Sequence, residues 1–315
     1  MKTKTLRILC MIFLGAISMH CVPEKNPKVT AVADYNGFLE HKDVDTVSKG
    51  FALWNNKITK DSTELMSFGY VAAAYTTFFK QSGNIAYLKK AEACLSKAVE
   101  IANINKEGYL RSLARNYISQ HRFKEALDLA EKASALGGGK KDSQALLFDV
   151  HMELGNYTSA KSYLDSITAP SEFGYLIRVA KWNDYKGDLD TTIRLMEKAL
   201  QKAEASKNKE LLVWAYSNIA DYYGHAGALQ KSYDHYLKTL ELDPTNAYAK
   251  KGIAWIVFSH ERNGQEALRI LNSITDYHKA PDYYLLQAEI ADFMEDKEAV
   301  DRNLEAYSRA VANSD

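Results

Sequence analysis

The sequence predicts an all-α protein, an α-solenoid of antiparallel helix pairs numbering about six to seven. Three observations carry this. Small residues recur twelve positions apart, as in Ala114 and Ala126, Ala180 and Thr192, and Ala220 and Ser232. Phe148 leads to Ala160 at the same spacing, and Ala254 leads to Ala267 one residue late. Small side chains at both positions let two antiparallel helices touch closely, and the pairs themselves recur every ~30–40 residues. Finally, only five prolines and sixteen glycines occur among 315 residues, with 46% hydrophobic and 25% charged. Twenty tyrosines suit such an array, because the ring packs between helices while the hydroxyl reaches water.

The chain opens on a targeting segment. Lys2, Lys4 and Arg7 form a positive n-region, and Ile8 to Met19 form an apolar run too short to span a bilayer, which takes about 20 residues. Cys21 follows directly, then Val22-Pro23-Glu24-Lys25-Asn26-Pro27. This order resembles a bacterial lipoprotein signal, in which residues 1–20 are removed and the Cys21 thiol carries lipid. That family places a small residue before the cysteine, where this chain has His20. Ordinary cleavage nearby and an uncleaved anchor are the alternative outcomes. The resemblance implies an outer-membrane lipid anchor facing the periplasm or the surface; cleavage implies a soluble periplasmic or secreted protein. Once the leader is gone, 37 basic face 40 acidic residues, which leaves no footprint for nucleic acid and no polybasic patch for anionic lipid.

Residues 21–32 read as a tether, with two prolines and no periodicity. Residues 33–62 read as two helices that cap the array, the first with Tyr35, Phe38 and Leu39, the second with Val47, Phe51, Leu53 and Trp54. The array covers 63–315. Its first unit carries Tyr70, Ala74 and Tyr75, then Leu88, Ala91, Leu95 and Ala98. Cys94, in that second helix, reads as a buried, inert thiol.

Later units share one frame. The clearest runs from Val213 to Thr245 and reads Tyr216, Ile219, Ala220, Tyr223, Gly227, Ser232, Tyr236, Pro244. The preceding units read Ala114, Tyr117, Ala126; then Phe148, His151, Gly155, Ala160; then Ala180, Gly187, Thr192. A unit with Ala254 and Ala267 follows, and a last, weakest one comes after Pro281. The frame closely resembles the tetratricopeptide repeat, and the Leu242–Asn246 ending looks like that family's inter-repeat turn. The resemblance implies a right-handed superhelix. Gln201 to Lys209 is read as a lengthened inter-repeat segment, and Gly137-Gly138-Gly139-Lys140 as a helix stop.

No motif for catalysis, metal or cofactor stands out. The triple glycine lacks the G-x4-G-K-[ST] spacing of a phosphate loop. His260-Glu261 begins like a zinc-protease helix, but Gly264 stands where the second histidine belongs. His151 replaces the repeat tyrosine and reads as a packing residue.

The resemblance places the first helix of each unit on a concave groove. Its non-core positions are then Arg111, Arg115 and Ser119; Asp149 and Met152; Arg178, Lys181 and Tyr185; Asp221 and His225; Trp255 and Phe258. One reading is a groove with a basic end at Arg111, Arg115 and Lys181 and an aromatic end at Trp255. The other is a set of solvated face residues. No unit shows the lysine–asparagine pairing by which that family captures a terminal carboxylate. Three functional classes follow. The first is a tethered, non-enzymatic scaffold for protein or peptide partners in the cell envelope. The second is a glycan or nutrient receptor, for which the chain has no residues left to build the usual extra lobe. The third is a helical-toroid enzyme, disfavoured because acids and bases do not cluster.

Overall fold

The computed structural model describes residues 27–40, 49–61, 63–82, 84–167, 172–274 and 281–312. The expected leader, Cys21 and residues 22–26 lie outside the described residues. Within them are sixteen α-helices and no strand. Two precede the array: α1, Val32–Tyr35, continued by a 3₁₀ turn at Asn36–Phe38, and α2, Lys49–Lys60.

Seven antiparallel pairs follow. Unit 1 is α3 (Leu65–Ser82) and α4 (Ala86–Ile101), and unit 2 is α5 (Lys106–Ser119) and α6 (Phe123–Ala135). Unit 3 is α7 (Lys140–Glu153) and α8 (Tyr157–Ser166), and unit 4 is α9 (Phe173–Tyr185) and α10 (Leu189–Ser206). Unit 5 is α11 (Lys209–His225) and α12 (Leu229–Leu242), and unit 6 is α13 (Ala247–Ser259) and α14 (Gly264–Asn272). Unit 7 is α15 (Pro281–Phe293) and α16 (Lys297–Ala312).

The small-residue pairs do what their spacing requires. Ala114 and Ala126, Phe148 and Ala160, Ala180 and Thr192, and Ala254 and Ala267 are all fully buried, and Ala220 and Ser232 nearly so. The helices approach closely enough for Thr192 Oγ1 to donate to the Ala180 carbonyl across the pair, at 3.2 Å. First helices of neighbouring units touch: α5 meets α7, α7 meets α9, α11 meets α13, and α13 meets α15. Crowding of the first helices puts them on the inner side of the curve and the second helices outside. The curve returns on itself, since Lys80 of unit 1 pairs with Glu210 of unit 5 at 3.6 Å.

One turn geometry joins the helices of six units. A single residue takes the left-handed conformation, and the next backbone N–H reaches back to a carbonyl five residues earlier, as in a Schellman cap. Gly155, Gly187 and Gly227 serve in units 3 to 5, with φ of 72°, 78° and 73°. His121, Arg262 and Glu295 take the same place in units 2, 6 and 7, with φ of 59°, 56° and 62°. The bonds run from Asn156 to His151, Asp188 to Asn183 and Ala228 to Tyr223. In unit 6 the bond runs from Asn263 to Val257, one residue further. That extra residue in the turn is why Ala267 falls late.

The segment 201–209 does not loop. It lengthens α10 to Ser206, after which Asn208 caps α11 by accepting from the Leu211 N–H at 3.0 Å. The triple glycine is more than a stop. Gly137 has φ +83°, but Gly139 also lies left-handed at the entry to α7, where a Cβ would stand 2.6 Å from Arg111 Nη2.

The N-terminal expectation needs correction. The second expected cap helix, α2, does cover unit 1, with Phe51 edge-on to Tyr75 and Phe78 and Trp54 stacked on Tyr70 at 4.6 Å. Residues 27–39, expected as the end of a tether and a first cap helix, lie instead on the outer face of units 5 and 6. Glu261 accepts from the Val29 and Thr30 N–H groups at 2.9 and 2.7 Å, and from Thr30 Oγ1 at 3.1 Å. Tyr35 is buried in the core of those units and donates to Glu266 at 2.8 Å. Tyr233 donates to Asp34 at 3.0 Å, and Arg269 to Asn36 at 2.9 Å. Where this extended backbone turns away from water its polar groups need partners, and Glu261 and Tyr233 supply them by accepting from the Val29, Thr30 and Ala31 N–H groups.

Candidate partner-binding cleft

The concave residues chosen from the sequence separate into two groups. In units 2 to 4 most of the charged ones are paired within the fold. Arg111 is buried, and its guanidinium donates to the Gly138 carbonyl at 2.7 Å and to Ser143 Oγ at 3.2 Å. It holds the start of the next unit and is not a free groove charge, which corrects the expected basic end. Arg178 donates to Asp149 at 2.5 Å, to the Gly174 carbonyl at 2.7 Å and to the Ala145 carbonyl at 3.2 Å. Burial pushes the Asp149 carboxyl up, while Arg178 beside it pulls it down. Lys181 pairs with Glu153. Arg115 stays exposed, facing Asp149 and Asp142. Tyr185 stacks on Tyr157 at 3.8 Å, at the helix ends. Met152 is buried.

Units 5 and 6 differ. Between α11 and α13 opens a cleft of about 330 Å³ that brings together Asp221, His225 and Trp255. Sequence reasoning placed those three on the groove but missed Tyr236, Tyr248, Lys251 and Gly252, which share it. Tyr236 belongs to α12 and reads as a core residue, and it is buried. Its hydroxyl nevertheless reaches through to one oxygen of Asp221, and the Tyr248 hydroxyl donates to the other. Burial, then Asp221, pushes both phenols well above their ordinary range, so both stay protonated. Tyr222 alongside is raised to about 12 by burial and by Asp184 and Asp221.

Glycine at 252 makes this arrangement possible. A Cβ there would stand 2.2 Å from Tyr236 Cζ, so the ring lies directly on the α13 backbone. The repeat frame gives no sign of it, because the contact is between units. Lys251 pairs with Asp282 of the next unit and sits 5.0 Å from the centre of the Tyr283 ring. Trp255 and Tyr248 line the mouth, 43% and 46% exposed. Phe258 does not line the groove. It is buried in the unit 6 core, edge-on to Phe293 at 5.5 Å, because the helix turns that position inward.

The other sequence candidates are structural. His151 is buried and stacks on Tyr163 at 5.4 Å, and burial lowers its pKa. Tyr117 carries the Arg122 guanidinium 3.9 Å above its ring. Burial raises the Cys94 thiol to about 11, far from the reactive range. His260 and Glu261, which begin like a metal motif, hold the N-terminal segment; His260 Nε2 meets the Pro27 carbonyl at 3.0 Å. Among the described residues no group of three or more histidine, cysteine or acidic side chains is placed to hold a metal ion. Nor is any helix among them long and apolar enough to cross a membrane.

No family model matches the sequence, and no curated protein does. Solved structures do. A chain of the APC/C hetero-tetramer Cut9-Hcn1 is similar at 16% identity over 82% of this chain and 46% of that one, with a TM-score of 0.55. A monomeric mutant of IFIT1 with Gppp-AAAA is similar at 17% identity over 84% of this chain and 65% of that one, with a TM-score of 0.59. A tetratricopeptide repeat protein from Parabacteroides merdae is similar at 17% identity over 75% and 93%, with a TM-score of 0.51. The chain thus spans less than half of the first and about two thirds of the second. At these identities the likeness establishes the fold: an all-α solenoid of the tetratricopeptide type.

Proposed function

We propose that the protein is a non-enzymatic scaffold that binds protein or peptide partners on its concave face and is tethered in a bacterial cell envelope through Cys21. The observation that carries the binding is the cleft between α11 and α13, where Asp221, His225, Tyr248 and Trp255 come together at an open mouth, whereas most concave charges of units 2 to 4 are paired across units. A photo-crosslinking amino acid at His225 tests it, beside one at Asp128 on the outer face of α6. Protein adducts from His225 alone support the reading. Adducts only from Asp128, or from neither, count against it.

The tether rests on the sequence of residues 2–27. Metabolic labelling with a lipid precursor, lost in Cys21→Ser, tests that part. The docked segment gives the tether a direction. Pro27 is held at the α13–α14 turn, and six residues reach at most about 20 Å. A lipid on Cys21 would therefore hold the outer face of units 5 and 6 near the bilayer, with the cleft turned away.

A further inference from the structure

We infer that the cleft between α11 and α13 recognises one basic side chain, lysine or arginine, of a peptide partner. The inference rests on the reading of this cleft as the partner site and adds what it selects.

The argument is one of donors and acceptors. A phenol has one O–H, and Tyr236 and Tyr248 both spend theirs on Asp221. What they then offer the cleft is lone pairs. A carboxylate has about four lone-pair sites, so two tyrosines leave Asp221 with acceptor capacity to spare. Lys251, the cation lining the cleft, is occupied by Asp282 and lies over the Tyr283 ring. Among the described residues no basic side chain forms an ion pair with Asp221. The centre of the cleft is therefore acceptor-rich and carries an uncompensated negative charge.

Lysine and arginine present three and five donors and no acceptor. A carboxylate or phosphate would meet only like groups there. An apolar side chain would take water from Asp221 and return nothing. Trp255 and Tyr248 at the mouth supply aromatic surface for a cation's flank and its methylene stem. A volume of about 330 Å³ admits a lysine or arginine side chain to its full length. The geometry is also held in advance: Tyr236 is locked between α12 and the bare backbone of Gly252, so Asp221 is oriented before anything binds.

The test titrates the full-length protein in detergent with pools of acetylated, amidated decapeptides. The pools are degenerate except for a central lysine, arginine, norleucine or glutamate. The expected result is at least tenfold tighter binding of the lysine or arginine pool than of the norleucine pool, with Asp221→Asn abolishing the preference. Because Asp221→Asn keeps the side chain's shape, and Gly252→Ala displaces the Tyr236 ring that holds Asp221, both should reduce the same preference. Binding of all pools alike, or a preference that survives Asp221→Asn, overturns the basic-residue inference and leaves the scaffold reading standing. Failure of every pool, with binding to an oligosaccharide array instead, overturns both.

Discussion

Units 2 to 4 and units 5 to 6 are built from the same helix pair, yet the inner-helix carboxylate meets a different partner in each, Arg178 at Asp149 and two tyrosines at Asp221. In the first region Arg111, Arg178 and Lys181 each bond to an adjoining unit or to the loop that leads into it. In the second, Asp221 is held by two tyrosines and left facing solvent space. Polar groups on an inner helix can thus serve as inter-unit stitching or as a recognition surface. What decides is whether the next unit supplies the complementary partner. Asp149 meets Arg178 29 residues on. Asp221 meets Tyr248, 27 residues on, which neutralises no charge.

The largest expected effect breaks the stitching. Arg178→Ala leaves Asp149 without its ion pair in the concave wall and should cost about 2–4 kcal/mol, because removal of one member strands the other. Chemical denaturation would measure it, and an equal loss from Asp221→Ala would erase the contrast between the regions. Next comes the close helix contact common to both. Ala126→Leu or Ala160→Leu should overpack its pair by roughly 1–3 kcal/mol, since both sites are fully buried. An unmoved melting temperature would contradict the repeat frame.

Alkaline pH acts on the second region. Tyr222 has a folded pKa of about 12, above the ordinary 10.0. Its contribution to stability is therefore complete below pH 10 and fades as pH rises through 12. Wild type should lose stability over that window, and Tyr222→Phe should lose less, by a difference on the order of 1 kcal/mol. Curves that stay parallel from pH 8 to 12 would contradict the assignment. The smallest effect lies in the turns. His121 holds φ 59° where units 3 to 5 have glycine, so His121→Gly should gain up to about 1 kcal/mol, read as a rise in denaturant midpoint.

How much of this was legible follows from the range of each interaction. Ala114, Ala126, Ala220 and Ala267 reveal the array because a twelve- or thirteen-residue spacing is a local consequence of two helices and a turn. Gly155, Gly187 and Gly227 mark their turns for the same reason. His121, Arg262 and Glu295 hide theirs, since any residue can adopt the left-handed conformation at a cost that the surrounding helices meet. The cleft was half visible. Asp221, His225 and Trp255 follow from helical position, whereas Tyr236 and Gly252 belong to it only through a contact between units. The docking of residues 27–39 on α12 and α14 was not visible at all, because nothing local in Val29-Thr30-Ala31 announces a carboxylate at Glu261.

The central claim is that the two halves of the groove differ in function: the first is structural and the second binds. Cross-linking and co-purification from native membranes tests it most directly. Wild type is run beside an Arg115→Ala, Lys181→Ala variant and an Asp221→Ala, Trp255→Ala variant, each checked for an unchanged helical spectrum. The account predicts that a specific protein partner follows wild type and the first variant and is lost from the second. A partner lost from the first and kept by the second would contradict it.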